Sequence, residues 1–396
     1  MEPDRPPFEV ADVIRRAGGV DGDVPGLRLS RAQRRVVWSL AACRTSRLGG
    51  HVEECDQCAH RRVAYNSCRN RHCPKCQAAR RAQWLEARQR DLLPVEYFHV
   101  VFTVPEEVAR VALQNKRLVY EMLFRCAWET LQAVAANPKH LGAKLGMLAV
   151  LHTWGQTLLH HPHVHCVVPG GGLSDDGRWV ACRRGFFLPV RVLSRLFRGK
   201  FVAALQRAFG AGKLSLCGRL ADLADGRAFA RWCRAMRQKE WVVYAKPPFG
   251  GPEQVLKYLA RYTHRVAIAN RRIVAVDAEH VTFEHKDYAR GGTQRTMRLR
   301  HTEFLRRFLL HVLPKGLVRI RYYGLLSNRN RERELELCRR QLGEHATMPA
   351  TEPKCDVVLP LVGRDIAGQC PVCERGSMVR VETIEPGRDT PRVDTS

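Results

Sequence analysis

The sequence predicts an α+β fold in which an N-terminal zinc-ribbon-like module precedes a ferredoxin-like domain with an antiparallel sheet. The module is predicted by two CxxC pairs, Cys55 with Cys58 and Cys73 with Cys76, which have fourteen residues between them. The second domain is predicted by segments that read, in chain order, as strand, helix, strand, strand, helix and strand, an order typical of a ferredoxin-like layer.

Local residue patterns predict the individual elements. Helices are expected over 31–42 (capped by Ser30), 78–92, 190–208 and 252–263, and strands over 97–105, 146–154 and 163–168. The last two strands are separated by a short loop, so they are expected to pair as a hairpin. The predicted domains are an irregular arm over 1–29, a zinc-binding module over 30–93, the main α+β domain over 94–330, and a charged helix with a disordered tail over 331–396.

The charge balance favours a polyanionic partner. The chain has 66 Lys and Arg residues against 39 Asp and Glu residues, a formal net charge of +27 that is spread along the whole sequence. Nucleic acid is the commonest partner able to offset such self-repulsion. A GC-rich genome also raises the arginine content, but it does not require so large a net charge.

The compartment expected from the sequence is the bacterial cytoplasm, with association to the nucleoid. The segment 1–10 is acidic and Pro-rich, unlike a signal peptide, and no apolar run approaches the ~18 residues needed to span a membrane. Fifteen cysteines in a reducing compartment indicate metal binding rather than a disulfide framework.

Clustered cysteines and histidines predict structural zinc. A CxxC turn directs two thiolates to one point, so two such turns complete a tetrahedron, and the first expected ligand set is Cys55, Cys58, Cys73 and Cys76. Four further candidates lie in the same stretch and suggest a second ion: Cys43, His51, Cys68 and His72. Spacing alone leaves the pairing open, because an interleaved arrangement would use the same residues.

Two weaker features accompany these clusters. Arginines in and beside the module, Arg69 and Arg71 among them, are candidates for phosphate contacts. Cys370 and Cys373 form a further CxxC pair near the C-terminus, which Cys338 and Cys355 could complete.

Alternating histidines mark the second candidate site. His163 and His165 are two residues apart on a predicted strand, so their side chains share one face of the sheet. Two imidazoles so placed form half of a divalent-metal site able to polarise a phosphodiester. A histidine-rich hairpin without metal is the alternative.

Two tyrosines form the third feature. Tyr258 and Tyr262 are four residues apart on a predicted helix and so lie on one face. Tyrosine can act as a covalent nucleophile when a metal ion or a cation assists its phenol, and Lys257, Arg261 and Arg265 surround this pair. An aromatic stripe packed into a core is the alternative.

Taken together, these motifs resemble those of a known family. The histidine–hydrophobe–histidine and YxxxY patterns resemble the two-tyrosine HUH endonucleases, and more closely the rolling-circle transposases of the insertion sequence 91 family. The matching stretches are SCRNRHCPKCQ (67–77), FHVVFTVP (98–105), LHTWGQTLLHHPHVHCVVPGGGLS (151–174) and WVVYAKPPFGGPEQVLKYLARYTHRVAIAN (241–270).

The resemblance implies a catalytic domain over 94–330 and a specific reaction. Tyr258 or Tyr262 would attack single-stranded DNA at the element end, forming a 5′-phosphotyrosine and releasing a 3′-hydroxyl. Mg²⁺ or Mn²⁺ would be held by His163, His165 and a third ligand, for which Gln156 is the choice and His161 and His152 are rivals. The expected DNA contacts are Arg69, Arg71, Lys257, Arg261 and Arg265. A plasmid replication initiator or relaxase, and a non-catalytic zinc DNA-binding protein, are the alternatives.

Overall fold

The computed structural model describes residues 6–246, 254, 266–343 and 368–387, except for the side chains of 78–83 and 289. The α-helices are α1 Val10–Arg16, α2 Arg31–Ala42, α3 Gln77–Gln89, α4 Glu106–Gln114, α5 Lys116–Ala135, α6 Val190–Gly210, α7 Gly226–Gln238, α8 His301–Leu310 and α9 Arg331–Gln341. The strands are β1 Gly50–Cys55, β2 Arg61–Tyr65, β3 Tyr97–Thr103, β4 Gly146–Trp154, β5 His160–Pro169, β6 Gly171–Leu173, β7 Trp179–Ala181, β8 Val243–Lys246, β9 Ile273–Val276, β10 His280–Asp287, β11 Thr293–Arg300, β12 Ile320–Gly324 and β13 Met378–Ile384.

A five-stranded sheet in the order β12-β4-β5-β3-β8 forms the centre of the main domain, and each neighbouring pair is antiparallel. The predicted α+β class with an antiparallel sheet is therefore confirmed. The predicted hairpin is also present, because β4 and β5 are neighbours in this sheet.

The two faces of this sheet differ. One face presents residues such as Phe102, Leu151 and Val164 to the largest core cluster, which includes residues of α4 to α7. The other face presents Tyr97, Leu148 and Val167 to a smaller cluster that includes residues of α9. Side chains alternate between the faces along each strand, so His152 of β4 and His163 and His165 of β5 belong to this second face.

Two smaller sheets complete the described part of the chain. One has the order β11-β10-β9, and β10 shares a core with α1, α2 and α8. The other has the order β13-β1-β2, so a strand from near the C-terminus pairs with one from the N-terminal module.

Capping explains where helix α2 begins. The Ser30 hydroxyl accepts a hydrogen bond from the Gln33 amide at 3.4 Å, and the Gln33 side chain accepts one from the Ser30 amide at 2.9 Å. This reciprocal pair satisfies amide groups that have no partner within the helix. The predicted helix over 31–42 after an N-cap at Ser30 is confirmed.

Two predictions about the chain ends were wrong. The segment 1–29, predicted as an irregular arm, contains α1, whose Val13 and Ile14 are buried against the same core as Val37 of α2. The tail, predicted as disordered, contains β13. In both cases the short element is stabilised by packing or pairing with a distant part of the chain, which local patterns do not report.

Candidate metal centres and active site

Three histidines meet on one face of the central sheet. His152 of β4 is paired directly with His163 of β5. Val150, two residues before His152 on the same strand, is paired with His165. Directly paired residues of antiparallel strands point to the same face. As a result, one ring nitrogen from each of His152, His163 and His165 lies within 4.8 Å of the other two.

Burial favours the neutral form of His163 and His165. His152 is 2% exposed and His165 is 8% exposed. Burial lowers the pKa of His163 to about 3 and places the pKa of His165 well below its ordinary value. Since a metal binds the neutral imidazole, this protonation state is suited to ligation.

Hydrogen bonds determine which ring nitrogen of His163 faces the group. Its Nδ1 lies 2.7 Å from the carbonyl oxygen of His161. A carbonyl can only accept, so Nδ1 carries the proton and Nε2 carries the lone pair. A hydrogen bond of this type fixes the ring orientation of metal-binding histidines.

His99 of β3, which the sequence analysis missed, supports His165. Its Nε2 lies 2.8 Å from Nδ1 of His165, and the two rings are stacked with centroids 5.0 Å apart. With Nδ1 engaged in this way, Nε2 is the atom by which His165 would bind a metal. The sequence signal for His99 was the alternation of side chains along β3, which places His99 on the same face as Tyr97.

A second layer of side chains stabilises the turn between β4 and β5. The Tyr120 hydroxyl lies 2.8 Å from Nε2 of His160. The Nδ1 atom of His311 lies 3.1 Å from the Thr153 hydroxyl, and its Nε2 donates to the Leu158 carbonyl at 3.0 Å. These contacts connect both ends of the turn to α5 and to the end of α8.

His152, rather than the chosen Gln156, completes the histidine group. Gln156 lies in the turn beyond β4, where its side-chain oxygen accepts a hydrogen bond from the Lys286 amide at 3.4 Å. His161, the other rival, contributes its carbonyl to His163, as described above, while its ring is exposed. Cross-strand pairing, and not nearness along the chain, brings His152 to the pair, and ligation by Gln156 stays a prediction.

The proposed nucleophiles lie outside the described residues. This applies to Tyr258 and Tyr262, and equally to Lys257, Arg261 and Arg265. The residues on either side of this segment are described. Lys246 at the end of β8 is paired with His99, and Val266 is buried in the same core cluster as Leu158 of the β4–β5 turn.

Four cysteines form a first thiol group: Cys43, Cys68, Cys73 and Cys76. The Sγ of Cys43 lies 3.5 Å from that of Cys76 and 3.6 Å from that of Cys73. A tetrahedral zinc site with Zn–S bonds of about 2.3 Å has S–S edges of about 3.8 Å, whereas a disulfide measures about 2.0 Å. The spacing of these thiols therefore fits zinc.

A second thiol group contains Cys55, Cys58, Cys370 and Cys373. Cys55 and Cys373 have their Sγ atoms 3.6 Å apart, as do Cys58 and Cys370. Backbone amides of Gly376 and Arg375 lower the pKa of Cys373 to about 6. The sulfur–sulfur distances of 3.6 Å again fit a tetrahedron of thiolates around zinc.

The predicted ligand sets need three corrections. The two CxxC pairs of the N-terminal module do not share one site but belong to different groups. His51 contacts Glu53 and Arg380, and His72 contacts Asn70 and the Leu313 amide, so neither histidine belongs to a thiol group. The predicted partner Cys338 of the C-terminal pair was also wrong, since it is buried in another core cluster, while Cys355 lies outside the described residues.

Arg71 forms hydrogen bonds within the protein. Its guanidinium donates to the carbonyls of Leu317 and Pro314, both at 2.8 Å, so these bonds compete with the expected phosphate contact, which stays a prediction. Arg69 is exposed and remains a candidate. Among the described residues, no helix is both long enough and apolar enough to cross a bilayer.

Comparisons with known proteins find transposases. Residues 146–334 match a family model described as a putative transposase, and residues 23–104 match a transposase zinc-binding domain of the insertion sequence 91 type. A putative transposase, y4qJ of Sinorhizobium fredii, is 55% identical over 394 residues, covering 98% of both chains. The chain belongs to the insertion sequence 91 family of transposases.

Two further similarities are weaker. The transposase of insertion sequence element IS801 from Pseudomonas savastanoi is 28% identical to this transposase over 300 residues, covering 74% of this chain and 70% of the relative. The conjugative relaxase TrwC in complex with oriT DNA, metal-free, matches with a TM-score of 0.25 at 15% identity, covering 42% of this chain and 71% of the relaxase. A metal-bound structure of the relaxase gives the same TM-score.

The residue ranges matched by the two family models contain different metal centres. The transposase range contains His152, His163 and His165 as well as both tyrosines. The zinc-binding range contains the whole first thiol group but only Cys55 and Cys58 of the second. This transposase therefore carries a zinc-binding domain whose matched range omits half of one thiol group.

Proposed function

We propose that this transposase nicks and rejoins single-stranded DNA at the ends of an insertion sequence through a 5′-phosphotyrosine intermediate. Tyr258 or Tyr262 is the nucleophile. Its phenolic oxygen bonds to phosphorus, the bond to the 3′-oxygen breaks, and a 3′-hydroxyl is released. The other tyrosine serves the later strand transfer.

The three-histidine group is the observation that carries the proposal. His152, His163 and His165 come from two neighbouring strands and share one face of the sheet, and three protein ligands leave further coordination positions of a bound ion free. Three imidazoles with no carboxylate among them suit a divalent cation with open positions. A bound divalent ion would polarise the scissile phosphate and stabilise the charge that develops on it.

The donor set favours Mn²⁺ over Mg²⁺. Replacing the expected Gln156 by His152 makes the ligand set all nitrogen, and Mg²⁺ prefers oxygen ligands. Imidazole is better tolerated by Mn²⁺. We therefore expect both ions to support cleavage, with Mn²⁺ the more effective.

The residues that flank the tyrosine segment support the nucleophile assignment. Lys246 is paired with His99, the residue that contacts His165, so the chain enters the segment two strands away from β5. It returns at Val266, in the core cluster that includes the β4–β5 turn residue Leu158. Both ends of the segment are thus held by elements adjoining the proposed metal site.

The same sheet face offers a surface for the DNA strand. Val101 is paired with His165 on one side and with Tyr244 on the other, so these three residues form one cross-strand row. Two strand spacings place Tyr244 about 10 Å from His165. Tyr244 is 47% exposed, and Lys246 Nζ lies 5.7 Å from its ring centroid. We propose that Tyr244 stacks on an unpaired base near the scissile phosphate.

A covalent-adduct assay tests the proposed function. The full chain is incubated with labelled single-stranded oligonucleotides containing the element end and Mn²⁺, and the products are separated on denaturing gels. We expect a protein–DNA adduct that is lost with chelator and in the Tyr258→Phe/Tyr262→Phe double variant. An adduct that persists in the double variant would refute the nucleophile assignment, and one that persists in chelator would refute metal dependence.

A further inference from the structure

We propose that Cys55, Cys58, Cys370 and Cys373 hold a structural zinc ion that joins the N-terminal module to a segment near the C-terminus. This inference is independent of the nicking reaction. It assigns a joint ligand set to two cysteine pairs that are more than 300 residues apart in the chain. Residues 368–387 would then be an integral part of the zinc-binding domain, although they lie outside its matched range.

The two CxxC turns that form this group have the same backbone geometry. The amide two residues after the first cysteine donates to its sulfur in both turns, from Gln57 to Cys55 at 3.4 Å and from Val372 to Cys370 at 3.5 Å. The amide four residues after it donates to its carbonyl, at 3.1 Å in the first turn and 3.0 Å in the second.

The residue after the second cysteine is also equivalent in the two turns. Ala59 has φ +56° and Glu374 has φ +53°. The left-handed conformation is unfavourable for residues with a side chain, and here it occurs at matching positions of two unrelated sequences. Two identical turns that face each other present four thiols to one point, which is the arrangement of a closed structural zinc site.

Contacts beyond the cysteines hold the turns in this relation. The amide of Asp56 donates to the Ser377 carbonyl at 3.1 Å, and the Asp56 carboxylate accepts from the Ser377 amide at 2.8 Å. A Cβ atom at Gly376 would collide with the Cys55 sulfur and with Asp56. The absence of a side chain at Gly376 therefore permits the close approach of the two turns.

Apolar packing is too small to explain the association. The core cluster at this end of the β13-β1-β2 sheet consists of Cys55, Cys370 and Met378, with Cys373 packed against it. Between Met378 and Ile384, all of the residues of β13 are exposed. Small modules with so little apolar core need a metal or disulfides for stability, and the sulfur spacing of 3.6 Å excludes disulfides.

The first thiol group, unlike the second, lies within a large apolar core. Cys43 and Cys73 are buried in the core cluster that also contains α1, α2 and α8. Loss of its ion would disturb a large core, whereas loss of the second ion would release mainly β13. We expect the joint site, with Cys58 exposed, to be the one from which a chelator removes zinc first.

Metal analysis of the full-length chain tests the proposal. We expect two zinc ions per wild-type chain, and one in the Cys370→Ser/Cys373→Ser variant. The matched control is Cys182→Ser/Cys217→Ser, which removes two cysteines outside both thiol groups and should retain two ions. Two ions in the Cys370→Ser/Cys373→Ser variant, or one in the wild type, would overturn the assignment.

A thiol-labelling experiment on the wild-type protein covers the case in which the variant does not fold. In the zinc-loaded chain, Cys55, Cys58, Cys370 and Cys373 should all resist alkylation, and limited chelation should expose these four together, as read by mass spectrometry. Proteolytic cleavage within 368–387 should begin at the same chelator concentration. Alkylation of Cys370 and Cys373 while Cys55 and Cys58 stay protected would contradict a shared ion.

Discussion

Nδ1 of His165 lies 2.8 Å from Nε2 of His99 on the neighbouring strand. The contact connects β5, which carries two of the candidate metal ligands, to β3, which was predicted only as a strand. One of the two nitrogens must donate and the other accept. If His165 binds a metal through Nε2, its Nδ1 donates and His99 accepts.

We therefore predict that His99 is a positioning residue for the metal site. His99→Ala should weaken Mn²⁺ binding by about 10- to 100-fold, the usual effect of removing such a partner of a ligating histidine. His99→Gln should restore part of the affinity, because its amide oxygen can accept the same hydrogen bond. Calorimetry with Mn²⁺ gives the readout, and exposed His140→Ala is the control. Equal affinity in wild type and His99→Ala would contradict the assignment.

The third ligand can be identified by a paired comparison. His152→Ala should abolish Mn²⁺-dependent cleavage to the same extent as His163→Ala, since each removes one of three imidazoles. Gln156→Ala should keep most of the activity, because that side chain bonds to the Lys286 amide instead. The rate at which each variant cleaves a labelled oligonucleotide measures these activities. Loss of activity in Gln156→Ala alone would return Gln156 to the ligand set.

Base stacking on Tyr244 predicts a defect in binding rather than in chemistry. In the Tyr258→Phe/Tyr262→Phe background, Tyr244→Ala should weaken binding to single-stranded DNA by about 5- to 150-fold, the range expected for one stacked base. Tyr244→Phe should bind like the parent. Tyr288→Ala removes a tyrosine that is 70% exposed in the connection between β10 and β11, and it serves as the control. Fluorescence anisotropy reports the affinities, and an unchanged value for Tyr244→Ala would exclude this contact.

Gly324 at the end of β12 should not tolerate a side chain. It has φ +55°, and a Cβ atom there would collide with the Leu145 carbonyl and the Trp128 ring. Gly324→Ala should lower the free energy of unfolding by about 2–5 kcal/mol through backbone strain and overpacking. Gly199→Ala, in open space within α6, should instead raise it by up to about 1 kcal/mol. Urea denaturation measures both, and equal stability of the two variants would contradict the argument.

Local pattern was sufficient for much of the fold. The capped helix after Ser30, the strand over 97–103 and the hairpin containing His163 and His165 follow from short-range rules of capping and alternation. These features depend on neighbours within a few residues, which the sequence displays directly. The short helix α1 and strand β13 were missed because each depends on a distant partner.

Residue type and spacing predicted the chemistry of this protein: thiolates for zinc, alternating imidazoles for a divalent ion, and a net positive charge for a nucleic-acid partner. Three-dimensional proximity decided which residues meet. Cys55 and Cys58 join Cys370 and Cys373 because β1 pairs with β13, and His152 joins His163 because β4 pairs with β5. Strand register sets these distances, and no spacing along the chain encodes the register between segments as far apart as β1 and β13.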